Sequence, residues 1–284
     1  MSEITRKDFF RRNQEILEVL FSPDWFRQTT QKQHPVYQRW LLCEKIITEQ
    51  QGAIHWPEQS DLLALARMGL DSAILIDATK GDLQRLRLGS LGVLFRDEKV
   101  RKKFLSRLDD PEQFEDVWVE LYIGAWHQGK GHIVEYREIE KRPDIRIEIP
   151  RAHFPVFIEC KRLRALSAKR VRRHIKDANN KIANELAKAG PGYGILVLDV
   201  TAHDIAEAQD DEGIALPAKL GPIVSIVQSR LAGPKNRSIG AAILIWDEYK
   251  VQHALPIKSW YGLRRRSTRV VHNNPILAVP HDLP

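Results

Sequence analysis

The chain has 284 residues, 43% of them hydrophobic and 29% charged, with a net charge of +7. That much apolar material excludes a disordered chain and is enough for one large domain or two smaller ones. Its only cysteines, Cys43 and Cys160, exclude a disulfide framework and a cysteine-based zinc site.

No apolar run of about 18 residues is present, and the opening "MSEITRKDFFRRNQE" has no signal core. The expected setting is therefore reducing and cytoplasmic, with no membrane partner. The basic balance suggests a polyanionic partner.

Residues 1–108 read as mainly helical. "KDFFRRNQEILEVLF" places Phe9, Phe10, Ile16, Leu17 and Leu20 near helical spacing, and "PVYQRWLLCEKIITEQ" does the same with Val36, Trp40, Cys43, Ile46 and Ile47. "SDLLALARMGL" opens on a cap at Ser60 or Asp61, and residues 81–108 are expected to be helical too. In "DDPEQFEDVWVELYIGAW", Asp110 can cap a helix, Pro111 suits its first position and Gln113 can reach back to the cap. Phe114, Val117, Trp118, Leu121 and Ala125 form its stripe, and Gly129 and Gly131 end it.

The pattern then turns to strands. "HIVEYREI", "DIRIEI" and "FPVFIECKRL" read as three, with Ile145, Ile147 and Ile149 on one face of the second. Residues 167–189 predict a basic helix ending at Gly190. "YGILVLDV" predicts a strand covered on both faces. Residues 216–231 predict a helix that Pro222 could interrupt. "IGAAILIWDEYKV" predicts a fifth strand, and the tail beyond Leu255 has no firm pattern. The whole is an α/β core behind a helical N-terminal region.

The first of these hairpin strands opens with Asp144, and the next carries Glu159 and Lys161. Charges within buried strands are costly unless paired or bound. Alternation puts Glu159 and Lys161 on one face, about 7 Å apart, with Ile158 and Cys160 turned to the core. A hairpin can bring Asp144 beside Glu159. Two adjacent carboxylates are stable together with a divalent cation between them, and their hard oxygens suit Mg²⁺ or Mn²⁺. Lys161 can neutralise charge, orient a water or meet a developing oxyanion.

Pro143-Asp144 followed by Glu159-Cys160-Lys161 resembles the signature of the PD-(D/E)XK nuclease superfamily, over about residues 112–250. The resemblance implies a restriction-endonuclease-like core (α-β-β-β-α-β, a central mixed sheet flanked by helices) in residues 109–284. It implies a Mg²⁺-dependent endonuclease, with Asp144 and Glu159 as metal ligands and Cys160 offering its backbone carbonyl. Lys161 matches the lysine that positions the attacking water. Many members add a glutamate from the preceding helix; Glu120 is the best match, before Glu115 and Glu135. The sequence departs from the family where a glutamine often follows in the next helix: that place falls on Lys181 or Asn180.

Residues 161–176, "KRLRALSAKRVRRHIK", hold eight Lys or Arg and no acid. Such a block faces water or phosphates. Arg162, Arg164, Lys169, Arg170, Arg172, Arg173 and Lys176 are the expected contacts to a nucleic-acid backbone, DNA in the leading reading. "LRRRSTR", residues 263–269, is a weaker second cluster. Trp260 and Tyr261 could stack on bases.

"GAWHQGKG" imitates a P-loop but runs from helix to strand and lacks the closing Ser or Thr, so it reads as a helix stop. His127, His132, His153 and His174 show no metal-ligand spacing, and His153 reads as a surface residue. Trp40, Trp118 and Trp246 read as core.

Three functions stay open: a nuclease serving genome defence, restriction or repair, a DNA-binding protein without catalysis, and a protein-interaction module built on the N-terminal region. Cutting both strands of a duplex would favour a homodimer. The plain structural alternative for the hairpin is an ion pair in which Lys161 bridges Asp144 or Glu159 at a sheet edge.

Overall fold

The computed structural model describes residues 6–21, 23–27, 33–48, 98–137, 141–149, 154–164, 166–200, 220–254 and 258–271. The expected helix at 60–70, residues 81–97 and His153 lie outside this set, as do the side chains of residues 258–271, with Trp260, Tyr261 and the second basic cluster. The chain divides between Trp118 and Val119 into two compact units.

The first unit is helical: α1 (Arg6–Phe21), α2 (Pro23–Arg27), α3 (Pro35–Thr48), α4 (Glu98–Leu108) and the start of α5 (Phe114–Gly129). Phe10 of α1 packs with Cys43 and Ile46 of α3. An aromatic cluster of Phe21, Trp25, Phe26 and Phe114 surrounds or adjoins buried His34. His34 Nδ1 accepts the Val36 N–H, so Nε2 carries the proton and donates to the Leu108 carbonyl at 2.9 Å. Burial lowers its pKa, which suits this neutral form.

The Asp110 cap forms as expected. Its Oδ1 accepts the Glu112 N–H at 2.9 Å, and the Gln113 side chain donates to Oδ2. Residues 111–113 are a turn, however, and the regular helix opens at Phe114 rather than Pro111.

The second unit is α/β with a mixed sheet. Its strands are β1 (Ile133–Tyr136), β2 (Ile145–Glu148), β3 (Pro155–Arg162), β4 (Tyr193–Asp199), β5 (Ala241–Ala254) and β6 (Lys258–Val271), in the order β1-β2-β3-β4-β5-β6. The first three form an antiparallel meander, β3, β4 and β5 are parallel, and β6 returns antiparallel. The parallel crossings run through α6 (Ala168–Ala189) and α7 (Gly221–Leu231).

Three expectations are corrected. Pro222 does not interrupt a helix; it lies at the first positions of α7, where its missing N–H costs nothing. The tail beyond Leu255 does have a pattern: β6 pairs with β5 through main-chain hydrogen bonds over residues 258–271. Finally, Ile158 and Cys160 do not alone face the core, because residues 156–160 are all buried and β3 is an interior strand. The ion pair expected at a sheet edge therefore forms on an interior strand instead, with Lys161 reaching both Glu159 and Asp144.

Helices position both faces of β3. Ser167 caps α6, accepting the Arg170 N–H at 3.3 Å, and Gly190 closes it with φ of 81°. Val171, Ile175, Ala178 and Ile182 of α6 pack with Phe157, Leu196 and Leu198 of the sheet. Phe157, Glu159 and Lys161 therefore point toward α6. Tyr136, Ile145 and Ile158 are directly opposite on adjacent strands and share the other face with Cys160. There α5 lies against Tyr136, whose hydroxyl donates to the Leu121 carbonyl at 3.2 Å. Gly124 permits that approach, since a Cβ would stand 2.2 Å from the hydroxyl oxygen. Among the described residues, no helix is long and apolar enough to cross a membrane.

Candidate active site

The β2–β3 register builds the site. Ile145 pairs with Ile158, so Asp144 stands opposite Glu159, one step past the ladder. Asp144 Oδ2 accepts the Cys160 N–H at 2.8 Å, which fixes its carboxylate to the strand that carries Glu159.

Glu159 has 0% exposure. Its Oε1 is contacted by the ammonium groups of both Lys161 and Lys181, the latter at 2.6 Å. The same two groups lie 4.0 and 3.8 Å from Asp144 Oδ2 and Oδ1. Glu159 Oε2 is buried without a hydrogen-bond partner. Buried carboxylate oxygens are normally satisfied, so an orphan beside a second carboxylate marks a place for a donor or a cation.

The site's electrostatics point the same way. Burial and the Asp144 charge push the Glu159 carboxyl up to about 6, against the pull of Lys161 and Lys181. For Lys161, burial acts downward, but the charges of Asp144 and Glu159 outweigh it and the pKa is raised. A carboxyl and an ammonium that are both shifted toward their protonated forms share a site with excess negative charge.

Glu120 adds to that excess. It is 6% exposed on α5; burial above all raises the Tyr136 and Cys160 pKa values, with the Glu120 charge adding to it, and that charge adds to the larger pull of Asp144 and Glu159 on Lys161. The other two glutamates are engaged elsewhere. Glu115 pairs with Arg39 at 2.5 Å within the first unit, and Glu135 pairs with Arg137 and Arg146 at 3.3 and 3.2 Å.

Sequence reasoning missed Lys181 as a member of this site. Of the two residues at the departure from the family pattern, Asn180 is exposed and Lys181 enters the pocket. The available signal was helical spacing. Ile175, Ala178 and Ile182 mark the buried stripe of α6, and Lys181 flanks it, two turns beyond His174. His174 is half-buried, and its pKa is lowered by burial and then by the Lys161 charge.

Sequence reasoning also missed a second buried acid. Glu185, one turn beyond Lys181, pairs with Arg137 at 2.7 Å and Arg142 at 3.4 Å. Arg137 in turn donates its backbone N–H to the Asp144 carbonyl at 2.8 Å. Burial alone would raise the Glu185 pKa, but the Arg137 hydrogen bond and charge reverse this and lower it.

The basic block divides by face. Arg164, Lys169, Arg170, Arg172, Arg173 and Lys176 are exposed, Arg162 is half-buried, and Val171 and Ile175 turn inward. Arg173 reaches Asp177 at 3.6 Å in an exposed pair. The stretch "GAWHQGKG" is a helix stop: α5 ends at Gly129 and Gly131 has φ of 79°. It also joins His127 and His132, whose Nδ1 atoms lie 3.0 Å apart. His127 is 4% exposed; burial, then the His132 charge, lower its pKa to about 3. Trp118 and Trp246 are core, while Trp40 is half-buried, stacked on Phe26 and bonded to Glu18.

Among the described residues, no three His, Cys, Asp or Glu side chains form a group that could hold a metal ion. Glu120 therefore does not complete a three-carboxylate cluster with Asp144 and Glu159. The pair still fits a hard cation, because Mg²⁺ keeps several waters and commonly uses one or two carboxylates plus substrate phosphate. The orphaned Oε2 has no hydrogen-bond partner for such a cation to displace. Comparison with protein families, curated proteins and solved structures finds no match.

Proposed function

We propose that this chain is a Mg²⁺-dependent nuclease, similar to the PD-(D/E)XK superfamily, that hydrolyses phosphodiester bonds in DNA. One observation carries the reading: Asp144 and buried Glu159 stand side by side, Glu159 keeps an unpartnered oxygen, and Lys161 lies against both. The element order α5-β1-β2-β3-α6-β4 supports it, being the order that the sequence resemblance implies.

In this reading Asp144, Glu159 and the Cys160 carbonyl hold Mg²⁺, or Mn²⁺ in its place, and Glu120 acts on the site through its charge or a bridging water. The bound cation would polarise the scissile phosphate and lower the pKa of a water. Lys161 orients the attacking water, being the lysine at the position that the resemblance implies, on the strand that carries Glu159. The exposed basic face of α6 holds the DNA backbone without reading its sequence. A role in genome defence, restriction or repair follows from the resemblance.

A second reading, a DNA-binding protein without catalysis, is favoured by the two lysines that already neutralise the acid pair. Nicking of supercoiled plasmid with Mg²⁺ or Mn²⁺ separates the two. The nuclease cuts, stops in EDTA, and is inactive as Asp144→Asn or Lys161→Ala. A protein that binds duplex DNA but neither cuts nor binds Mn²⁺ belongs to the second reading.

A further inference from the structure

Two ammonium groups share one carboxylate oxygen, and the proposed chemistry uses only one of them. Lys161 comes from the strand that carries Glu159, whereas Lys181 comes from α6, across the crossover. The Lys181 Nζ is placed between the two acids, 2.6 Å from Glu159 Oε1 and 3.8 Å from Asp144 Oδ1. Its side chain is 26% exposed, whereas that of Glu159 is fully buried, so it reaches the acid from the solvent side.

Resting on the metal-site reading above, we infer that Lys181 is the resident counter-cation of the acid pair. It holds Asp144 and Glu159 together when no metal is bound, opposes entry of the metal, and contacts the phosphodiester once the metal is in place.

Charge counting supports this. Asp144 and Glu159 carry two negative charges and Lys161 and Lys181 two positive ones, and the Glu120 charge is felt at Lys161 from α5. Lys181 repels an entering divalent cation and, once that cation is bound, attracts the phosphodiester. Lys181 should therefore weaken metal binding and strengthen phosphate binding, effects of opposite sign that a purely structural ion pair does not produce.

The test uses Lys181→Met, with Lys181→Gln as a second variant should the first fold poorly and Lys181→Arg as the conservative replacement. Calorimetric titration with Mn²⁺ should show at least about tenfold tighter binding for Lys181→Met, the least that removing one charge a few ångströms away gives even with water-like screening. Binding of a labelled duplex, with Ca²⁺ loading the site, should instead weaken about tenfold, and the salt slope should fall by about one counterion. Lys181→Arg should restore duplex binding.

Unchanged Mn²⁺ affinity in Lys181→Met, or Mn²⁺ and duplex affinities that fall together, would overturn the inference. Asp144→Asn in the same titration separates the levels. If it loses Mn²⁺ while Lys181→Met changes nothing, the metal site stands and only the role of Lys181 is lost. If the parent binds no Mn²⁺, or Asp144→Asn binds it equally well, the metal reading itself fails and Lys181's role falls with it.

Discussion

Asp144 holds Cys160: its Oδ2 accepts the Cys160 N–H at 2.8 Å, so one carboxylate both fastens the strand beside Glu159 and faces the site with its second oxygen. The two duties can be separated. Asp144→Ala leaves a main-chain donor without its acceptor, at about 1–3 kcal/mol. Asp144→Asn keeps a carbonyl oxygen for that bond and should melt closer to the parent. Both should fail to cut plasmid, and in EDTA Asp144→Asn should bind duplex at least as tightly as the parent, because it removes a charge that repels phosphate. An Asn variant that melts as early as Ala and cuts in proportion to its folded fraction would remove Asp144 from the chemistry.

Glu159 has two lysine partners on one oxygen, which makes either partly redundant for folding. Lys161→Met and Lys181→Met should each change stability by about 1 kcal/mol or less, because the other ammonium remains. Together they strand a buried carboxylate, and the loss should exceed the sum by at least about 1 kcal/mol. Adding Glu159→Gln should recover most of it. Urea unfolding of the parent and these variants measures the cycle, and simple additivity would show that the lysines do not share Glu159.

His127 is held neutral by burial, with its pKa lowered to about 3. A base with a depressed folded pKa contributes stability that is present above its unfolded pKa of about 6.5 and lost as pH falls. Glu159 has the opposite sign. Its raised pKa of about 6 means that its contribution is present at low pH and lost as pH rises through that value. Between about pH 7.5 and pH 5 the parent should lose about 2 kcal/mol relative to His127→Asn. Comparing parent and variant cancels the Glu159 contribution. Parallel pH profiles would mean that the His127 ring can take a proton in the folded state.

Arg170, Arg172 and Arg173 lie on the exposed face of α6. Replacing all three with Ala should leave the melting temperature nearly unchanged and weaken duplex binding. The log–log salt slope should become shallower by about 0.9 for each phosphate that the variant no longer neutralises. An unchanged slope would take this face out of the interface.

Glu120 and Glu115 lie on the same helix but in different environments. Glu120 is buried and its charge is felt at Lys161, whereas Glu115 is engaged with Arg39. Glu120→Gln should reduce cleavage and raise the Mn²⁺ concentration required. Glu115→Gln should leave both unchanged and show its effect, if any, in the melt. The reverse pattern in the cleavage assay would assign the third carboxylate to Glu115.

The sequence by itself determined what local periodicity and end chemistry decide. Alternating Ile145 and Ile147 specified β2, Ser167 and Gly190 bounded α6, and Asp110 with Gln113 formed the cap ahead of α5. It also placed Asp144 opposite Glu159, because a hairpin pairs strands that are close in the chain. Only the tertiary structure decided the rest. Lys181 is 22 residues from Glu159, and nothing local says that α6 folds back with that lysine over that strand. The burial of Glu159 arises because β4 and α6 cover β3, which alternation within β3 cannot reveal. β6 is a strand through its main-chain pairing with β5; its arginine-rich sequence carries little of the alternation by which a strand is read. Backbone hydrogen bonding and helix-on-sheet packing are non-local, and they turned a legible acid pair into a buried pocket with a second lysine.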